Sequence, residues 1–334
     1  FKQKFRRINM ITNAIRVHKQ GGPEEMKWEE VALPEIQKND VLIKHTAIGL
    51  NYIDTYHRSG LYPMPVPLTL GIEGAGIIIE AGENVKDLNV GDRVAYASPP
   101  TGSYAEAKVM PADRLVKIPD NISDEIAAAI MLKGMTVEYL VRRTYNVKAG
   151  QTVLFHAAAG GVGLIACQWL KAIGAKVIGT VGSEEKAALA KANGCEHTIL
   201  YREENFVDKV KEITNGEGVP VVYDGIGKDT ALKSLDCLSP LGMLVVFGNS
   251  SGNAPPIETG LLAAKGSLFL TRPTLMTYNA KREDLVESAQ QLFDMVGSGK
   301  VNISINARYD LKDAAQAHKD LESRKTTGST LLMP

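Results

Sequence analysis

The stretch Gln151-Thr152-Val153-Leu154-Phe155-His156-Ala157-Ala158-Ala159-Gly160-Gly161-Val162-Gly163 decides the fold. A short β-type run, residues 152–156, feeds a turn of small residues, and a helix-like stretch follows over 162–173. Strand, small-residue turn and helix in that order are the context of a dinucleotide fingerprint. Small side chains let the backbone approach a pyrophosphate, and the helix N-terminus offers N–H groups to its charge. The strict Gly-x-Gly-x-x-Gly is modified, because Ala158 stands where the first glycine would be. A glycine turn alone is weak evidence, since glycines also serve plain turns. Its neighbours make it specific.

Downstream, strand-like runs recur at 176–180, 197–201, 219–224, 243–248 and 267–271. Helical stretches fill the gaps at 184–193, 203–214 and 229–238. That alternation predicts βαβ units, a parallel sheet and right-handed crossovers. Upstream the rhythm differs. Residues 40–45, 76–81, 91–96 and 115–118 are short apolar runs bounded by Gly, Pro and Asp, the spacing of a small barrel or sandwich. Helical patterning begins at 127–132. The tail reads as a helix at 283–296, a strand at 301–307, a helix at 312–323 and a last strand at 330–333, and is expected to rejoin the N-terminal part.

The chain has 334 residues, enough for two domains. Lys+Arg 38 balances Asp+Glu 38, so no global field holds a polyanion, which argues against a dedicated nucleic-acid binder. Cys167, Cys195 and Cys237 stand far apart in sequence, with no CxxC pair and no metal-ligand spacing. A reducing, cytoplasmic location follows. The longest uncharged stretch, 149–170, contains His156, Gln168 and four glycines, and reads as buried strand, turn and helix rather than a membrane span. Residues 1–9 are basic, lack serine and read as a leader or extension before Met10.

An acid about 20 residues past the glycine turn selects NAD. Here the second strand ends in Val181-Gly182-Ser183, with no acid at its end. Glu184 and Glu185 read as first-turn acids behind a Ser183 N-cap. Gly182 leaves room for a phosphate, and Lys186 and Tyr201 offer it partners, which favours NADP.

With these residues in hand the chain resembles the quinone oxidoreductase/zeta-crystallin branch of the medium-chain dehydrogenases. The likeness runs from Met10 nearly to the end. It is carried by residues 150–154 and 158–163, by Gln168 and Lys171, and by Asn51-Tyr52-Ile53-Asp54-Thr55-Tyr56. Val90-Gly91-Asp92-Arg93-Val94, Phe247-Gly248-Asn249-Ser250-Ser251-Gly252, Thr271-Arg272-Pro273 and Glu322-Ser323-Arg324 add to it. The resemblance implies a fold of α/β plus β: a Rossmann doubly wound parallel sheet with a GroES-like β-barrel catalytic domain. The expected bounds are 10–133 for the GroES-like part, 134–272 for the NADP-binding part and 273–334 for a return segment. A homodimer is also implied.

In zinc-dependent cousins a Gly-His-Glu-x-x-Gly motif supplies a zinc histidine. The matching run here is Gly71-Ile72-Glu73-Gly74-Ala75-Gly76, the cysteine position matches Asn51, and the structural four-cysteine lobe is missing. Isoleucine cannot ligate, so no metal is expected and Glu73 reads as a structural hydrogen-bonding residue. Without a Lewis acid, alcohol oxidation is disfavoured, and hydride transfer from NADPH to a quinone is the expected reaction.

By resemblance Asn51, Tyr52 and Tyr56 line the cleft beside the nicotinamide, and Thr136 contacts the cofactor. Ala159, Gly160, Gly161, Val162 and Gly163 are expected at the pyrophosphate, with Gly182, Ser183, Lys186, Tyr201 and Arg324 toward the adenosine phosphate. Phe247, Gly248, Asn249, Ser250, Ser251, Thr271 and Arg272 complete the cofactor set. Tyr56 either hydrogen-bonds the acceptor oxygen or only packs against the ring. His156 reads as a satisfied core histidine, His57 as surface or hinge, and Cys167 as inert. The competing readings are reduction of 2-alkenals or enoyl thioesters on the same domains, and binding of AU-rich RNA.

Overall fold

The computed structural model describes residues 10–324 and 326–334, so the expected leader, residues 1–9, lies outside the described residues. The chain divides into two units. One runs to Met131 and resumes at Ile305–Pro334; the other is Leu132–Ser304.

The second unit is built on a six-stranded sheet whose pairs are all parallel. Across the sheet run His197–Leu200, Lys176–Val181, Thr152–Phe155, Val219–Asp224, Leu238–Val246 and Phe269–Thr271. The order reverses between Thr152–Phe155 and Val219–Asp224, and at such a point ligands bind outside the carboxyl ends of the strands. Val153, Leu154, Val177, Ile178, Val221, Val222, Leu244 and Val245 are fully buried, as strands covered on both faces must be. Leu154, Ile178, Ile199, Val222 and Leu244 share one core with Phe206, Val210, Ala231 and Leu235 from the helices. Each Val, Leu, Ile or Phe among them contributes roughly 1.5–3 kcal/mol by burial.

Several boundaries differ from expectation. The helix expected over 229–238 shrinks to Ala231–Ser234 and a 3-10 turn, Leu235–Cys237, and the next strand starts early, at Leu238. The second unit continues to Ser304 rather than ending at 272. Its helix Arg282–Gly297 packs against the stretch that opens the unit: Ser288 Oγ donates to Glu138 Oε2 at 2.9 Å, and Leu292 lies against Gly134. The strand expected over 301–307 begins only at Ile305, because Asn302 exchanges two hydrogen bonds with Gln168 of the first Rossmann helix, at 2.7 and 3.0 Å.

In the first unit, Asp40–Gly49 is the central strand, paired antiparallel with Glu73–Ala81, Ala107–Pro111 and the returning Ser329–Met333. Ile305–Asp310 runs parallel to Ser329–Met333 at the sheet's edge. A smaller sheet joins Met26–Ala32, Ile11–Val17 and Leu68–Thr69. Directly after the central strand the chain turns through Leu50 and Asn51 into the helix Tyr52–Ser59. The helix stops at Gly60, whose φ of 86° suits a left-handed cap.

Candidate functional site

In the second unit the sequence fingerprint folds as a tight crest between strand Thr152–Phe155 and helix Gly161–Ile173. Ala157 sits at φ 56°, a conformation a non-glycine residue rarely adopts. Its N–H and that of Ala158 are tied to Thr180, at 3.3 and 3.1 Å, and its carbonyl accepts from Gly160 N at 2.9 Å. A Cβ at Gly163 would fall 2.3 Å from the Ala157 carbonyl, so only glycine lets the helix start this close to the turn. Gly160, the residue before the helix, lends no side-chain cap. The first-turn N–H groups are thus left to an outside acceptor, the arrangement that binds phosphate.

The other cofactor candidates of this unit fall on neighbouring strand ends. Ser183 caps the helix Glu184–Ala192 by accepting from Lys186 N at 3.3 Å. The Tyr201 hydroxyl lies over Gly182, 3.0 Å from where a Cβ would stand. Phe247 to Ser251 follow strand Leu238–Val246 and are knitted to the loop after Val219–Asp224: Phe247 N donates to the Asp224 carbonyl at 2.8 Å, Ser250 N to the Gly225 carbonyl at 3.2 Å, and Ser251 Oγ to the Ile226 carbonyl at 2.9 Å. The Phe247 and Phe155 rings stand 5.7 Å apart. Asp224 itself was not read from the sequence. Fully buried, it accepts from Ile226 N, Gly227 N and Thr230 Oγ1 at 2.7–3.0 Å and so shapes this crest. Thr136 is buried beside Tyr139, with Arg272 near the same ring; burial pushes the Tyr139 hydroxyl pKa up.

His156 is a satisfied core histidine, bonded to Thr180 Oγ1 and Ser234 Oγ at 2.9 Å each, and burial lowers its pKa. Cys167 and Cys195, distant in sequence, are neighbours in space: their thiols hydrogen-bond, which raises Cys167 and lowers Cys195.

The first unit carries a second cluster. Asn51 precedes the helix Tyr52–Ser59, and its backbone N–H donates to Asp54 Oδ2 at 2.9 Å. Its side-chain Nδ2 donates to Glu73 Oε2 at 2.6 Å. Asp54, Glu73 and Asn51 are all buried. Tyr52 donates its hydroxyl to the Leu321 carbonyl at 3.1 Å; burial raises its pKa, opposed by nearby Arg324. Tyr56 sits edge-on to Tyr62, with centroids 5.2 Å apart. Arg324 lies in this unit, at φ 60°. His57 is buried rather than on the surface, and burial lowers its pKa.

Behind Asn51 runs a buried chain that the sequence did not announce. Tyr104 Oη donates to Asp54 Oδ2 at 2.9 Å and meets His318 Nε2 at 3.0 Å. Arg58 donates to His318 Nδ1 at 2.9 Å and grips Glu322 with two bonds, at 3.1 and 2.7 Å. A guanidinium only donates, so Nδ1 accepts and Nε2 carries the proton toward Tyr104. Burial and Arg58 lower His318 to about 3. The chain ends on Asp54, which also holds the Asn51 backbone N–H, so it braces Asn51.

Residues 37–120 match the alcohol dehydrogenase GroES-like domain and residues 161–293 the zinc-binding dehydrogenase domain. The chain is 52% identical over 327 residues to a quinone oxidoreductase of Salmonella typhimurium, covering 97% of this chain and 100% of that protein. It is 46% identical over 332 residues to a 2-haloacrylate reductase of a Burkholderia species, covering 97% and 99%. The crystal structure of Escherichia coli quinone oxidoreductase complexed with NADPH matches with a TM-score of 0.95 at 49% identity, covering 96% of this chain and 100% of that one. The donor set here does not fit the zinc in the second domain's description. Ile72 has no ligating atom, and the Asn51 amide nitrogen already points a proton at Glu73.

Proposed function

The chain belongs to the zinc-free quinone oxidoreductases of the medium-chain dehydrogenase superfamily, and on that premise we propose that it reduces quinones with NADPH. The observation that carries this reading is the pairing of an open, uncapped dinucleotide turn with Asn51 and Ile72 where zinc ligands would stand. When bound, NADPH supplies the hydride. The turn from Ala159 to Gly163 holds the pyrophosphate on backbone N–H groups. Gly182, Ser183, Lys186 and Tyr201 take the adenosine phosphate, a role that suits NADPH over NADH. Thr136, Phe247 to Ser251, Thr271 and Arg272 complete the cofactor's bed. Tyr56 offers its hydroxyl to the quinone oxygen, on which negative charge grows as the hydride arrives; Asn51 and Tyr52 frame the same side.

The 46% identity to a 2-haloacrylate reductase favours one second reading, reduction of an activated alkene by the same hydride donor. A homodimer in the cytoplasm completes the proposal; its free cysteines suit a reducing compartment, and among the described residues no helix is long and apolar enough to cross a membrane.

The test is steady-state turnover of benzoquinones, naphthoquinones, conjugated enals and 2-haloacrylate, with NADPH and NADH, before and after chelation. Quinone turnover that prefers NADPH and survives chelation is expected. Failure with every quinone, or activity lost with a chelated metal and restored by zinc, would overturn the reading.

A further inference from the structure

A buried hydrogen-bond chain runs under the dinucleotide turn, wholly within the second unit. At one end the Asp224 carboxylate accepts from Ile226 N, Gly227 N and Thr230 Oγ1 at 2.7–3.0 Å, and Ser234 Oγ lies 3.4 Å from its Oδ2. Ser234 Oγ stands 2.9 Å from His156 Nε2, and His156 Nδ1 stands 2.9 Å from Thr180 Oγ1. At the other end Thr180 Oγ1 accepts the Ala157 N–H at 3.3 Å. Asp224, Ser234, His156 and Thr180 are all buried. Among the described residues the Thr180 hydroxyl has one acceptor in reach, His156 Nδ1. Nδ1 therefore accepts, and Nε2 carries the ring proton and donates to Ser234 Oγ. Ser234 donates onward to the Thr230 carbonyl at 2.9 Å and, more weakly, toward Asp224. The opposite tautomer would bury the Thr180 hydroxyl proton with no acceptor, an uncompensated loss. Burial lowers the His156 pKa and keeps the ring in this neutral form, against the pull of Asp224.

The turn depends on that arrangement. Ala157 stands at φ 56°, a conformation that is costly for a non-glycine residue and persists only where its surroundings enforce it. Thr180 enforces it twice: its hydroxyl oxygen takes the Ala157 N–H, and its backbone carbonyl takes the Ala158 N–H at 3.1 Å. A Cβ at Gly179 would fall 2.5 Å from the Ala158 Cβ, so glycine lets this strand lie that close to the turn. The Ala157 carbonyl then accepts from Gly160 N at 2.9 Å and sets the start of the helix whose first N–H groups have no side-chain cap. We propose that Thr180 and His156 are positioning residues for the pyrophosphate of NADPH, an assignment that rests on the proposed function and deepens it. His156 draws the Thr180 hydroxyl proton away from the turn, which turns the oxygen's lone pair to Ala157 and so fixes where the helix N–H groups point. Asp224, at the far end of the chain, takes Phe247 N on its backbone carbonyl at 2.8 Å. One buried chain thus ties together the two crests that the proposed function gives to the cofactor.

Thr180→Val keeps the shape of the side chain and removes the hydroxyl. By fluorescence titration it should bind NADPH about tenfold more weakly, while Thr180→Ser should stay within about threefold of the wild type. Adenosine 2′-phosphate, which carries no pyrophosphate, should bind to all of them alike in a calorimetric titration. In the cofactor-free protein the amide hydrogens of residues 157–163 should exchange faster in Thr180→Val than in Thr180→Ser. With a quinone as acceptor, the loss should fall on KM for NADPH rather than on kcat. Val219→Ala opens a cavity in the same core, at the opposite end of strand Val219–Asp224 from Asp224. It should lower the melting temperature and leave NADPH affinity as it was. A Thr180→Val protein that binds NADPH as tightly as the wild type overturns the assignment. So does one that loses adenosine 2′-phosphate by the same factor, since the damage would then be general. Should Thr180→Val not fold, His156 carries the test. An Asn amide oxygen can stand where Nδ1 accepts, whereas a Gln amide reaches the place of Nε2, so His156→Asn should lose less NADPH affinity than His156→Gln. Equal losses overturn the assignment, whereas a wild-type chain that does not bind NADPH overturns the cofactor reading beneath it.

Discussion

Tyr56 leans edge-on against Tyr62 and tilts toward Tyr52, with centroids 5.2 and 6.4 Å apart. Those contacts belong to the ring, so Tyr56→Phe keeps them and removes only the hydroxyl. If that hydroxyl meets developing charge, kcat should fall about tenfold or more while NADPH affinity holds. Unchanged kcat across several quinones would leave the ring with packing alone. Lys186 is a cleaner probe of cofactor choice, because Ser183 caps its helix through the Lys186 backbone N–H, which Lys186→Ala preserves. Loss of a charge-assisted phosphate contact costs roughly 1.5–3 kcal/mol, so the variant should bind NADPH about tenfold or more weakly and NADH as before; titrations showing equal losses would refute the contact. Both residues were named from local runs of chain, Tyr56 within Asn51 to Tyr56 and Lys186 behind Ser183. The long-range contacts of the first unit were not. Glu73 holds Asn51 across 22 positions and Arg58 holds His318 across 260, separations that no spacing rule spans.

Parallel strands were readable as elements, because burial on both faces leaves near-continuous apolar runs such as Val153-Leu154-Phe155 and Val221-Val222-Tyr223. The antiparallel strands Ile11–Val17 and Met26–Ala32 escaped, since Asn13 and Arg16 in the first and Lys27, Glu29 and Glu30 in the second break the apolar run. The last sheet strand, Phe269–Thr271, sits at the sheet's edge with Phe269 and Leu270 exposed. An open apolar edge invites pairing with another chain, and a two-fold axis closes it against the same strand of a second copy. Phe269→Asp puts a charge on that edge. Light scattering at micromolar concentration should show a dimer for the wild type and a shift toward monomer for the variant. A wild-type monomer would remove the edge strand from consideration.

At the scale of the molecule, the period of the sequence told a unit of alternating strands and helices from a β-rich unit, but not where the first gives way to the returning tail. Helix Arg282–Gly297 is amphipathic wherever it packs; Glu138 and Gly134, on its partner stretch, decide that it stays with the second unit. Acid sensitivity is likewise a property of tertiary burial. His45 donates Nδ1–H to the Ala105 carbonyl at 2.7 Å, its Nε2 meets the Tyr96 hydroxyl at 2.7 Å, and burial with nearby Lys108 lowers its pKa to about 4. His318, held between Arg58 and Tyr104, is lowered to about 3. In the unfolded chain both titrate near 6.5. Between that value and the folded ones the unfolded chain binds protons that the folded chain refuses, so stability rises with pH there. The contribution is complete above pH about 6.5 and is lost as pH falls toward 4 for His45 and 3 for His318. For His45 the full swing is on the order of 3 kcal/mol. Denaturant unfolding at pH 7, 5.5 and 4 should show the midpoint falling steadily. His318→Asn starts less stable, because Arg58 and Tyr104 lose a partner, but its midpoint should fall less between pH 5.5 and 4 than that of the wild type. An identical slope in the two proteins would mean that His318 already carries its proton in the folded chain, and that Arg58 does not hold it neutral.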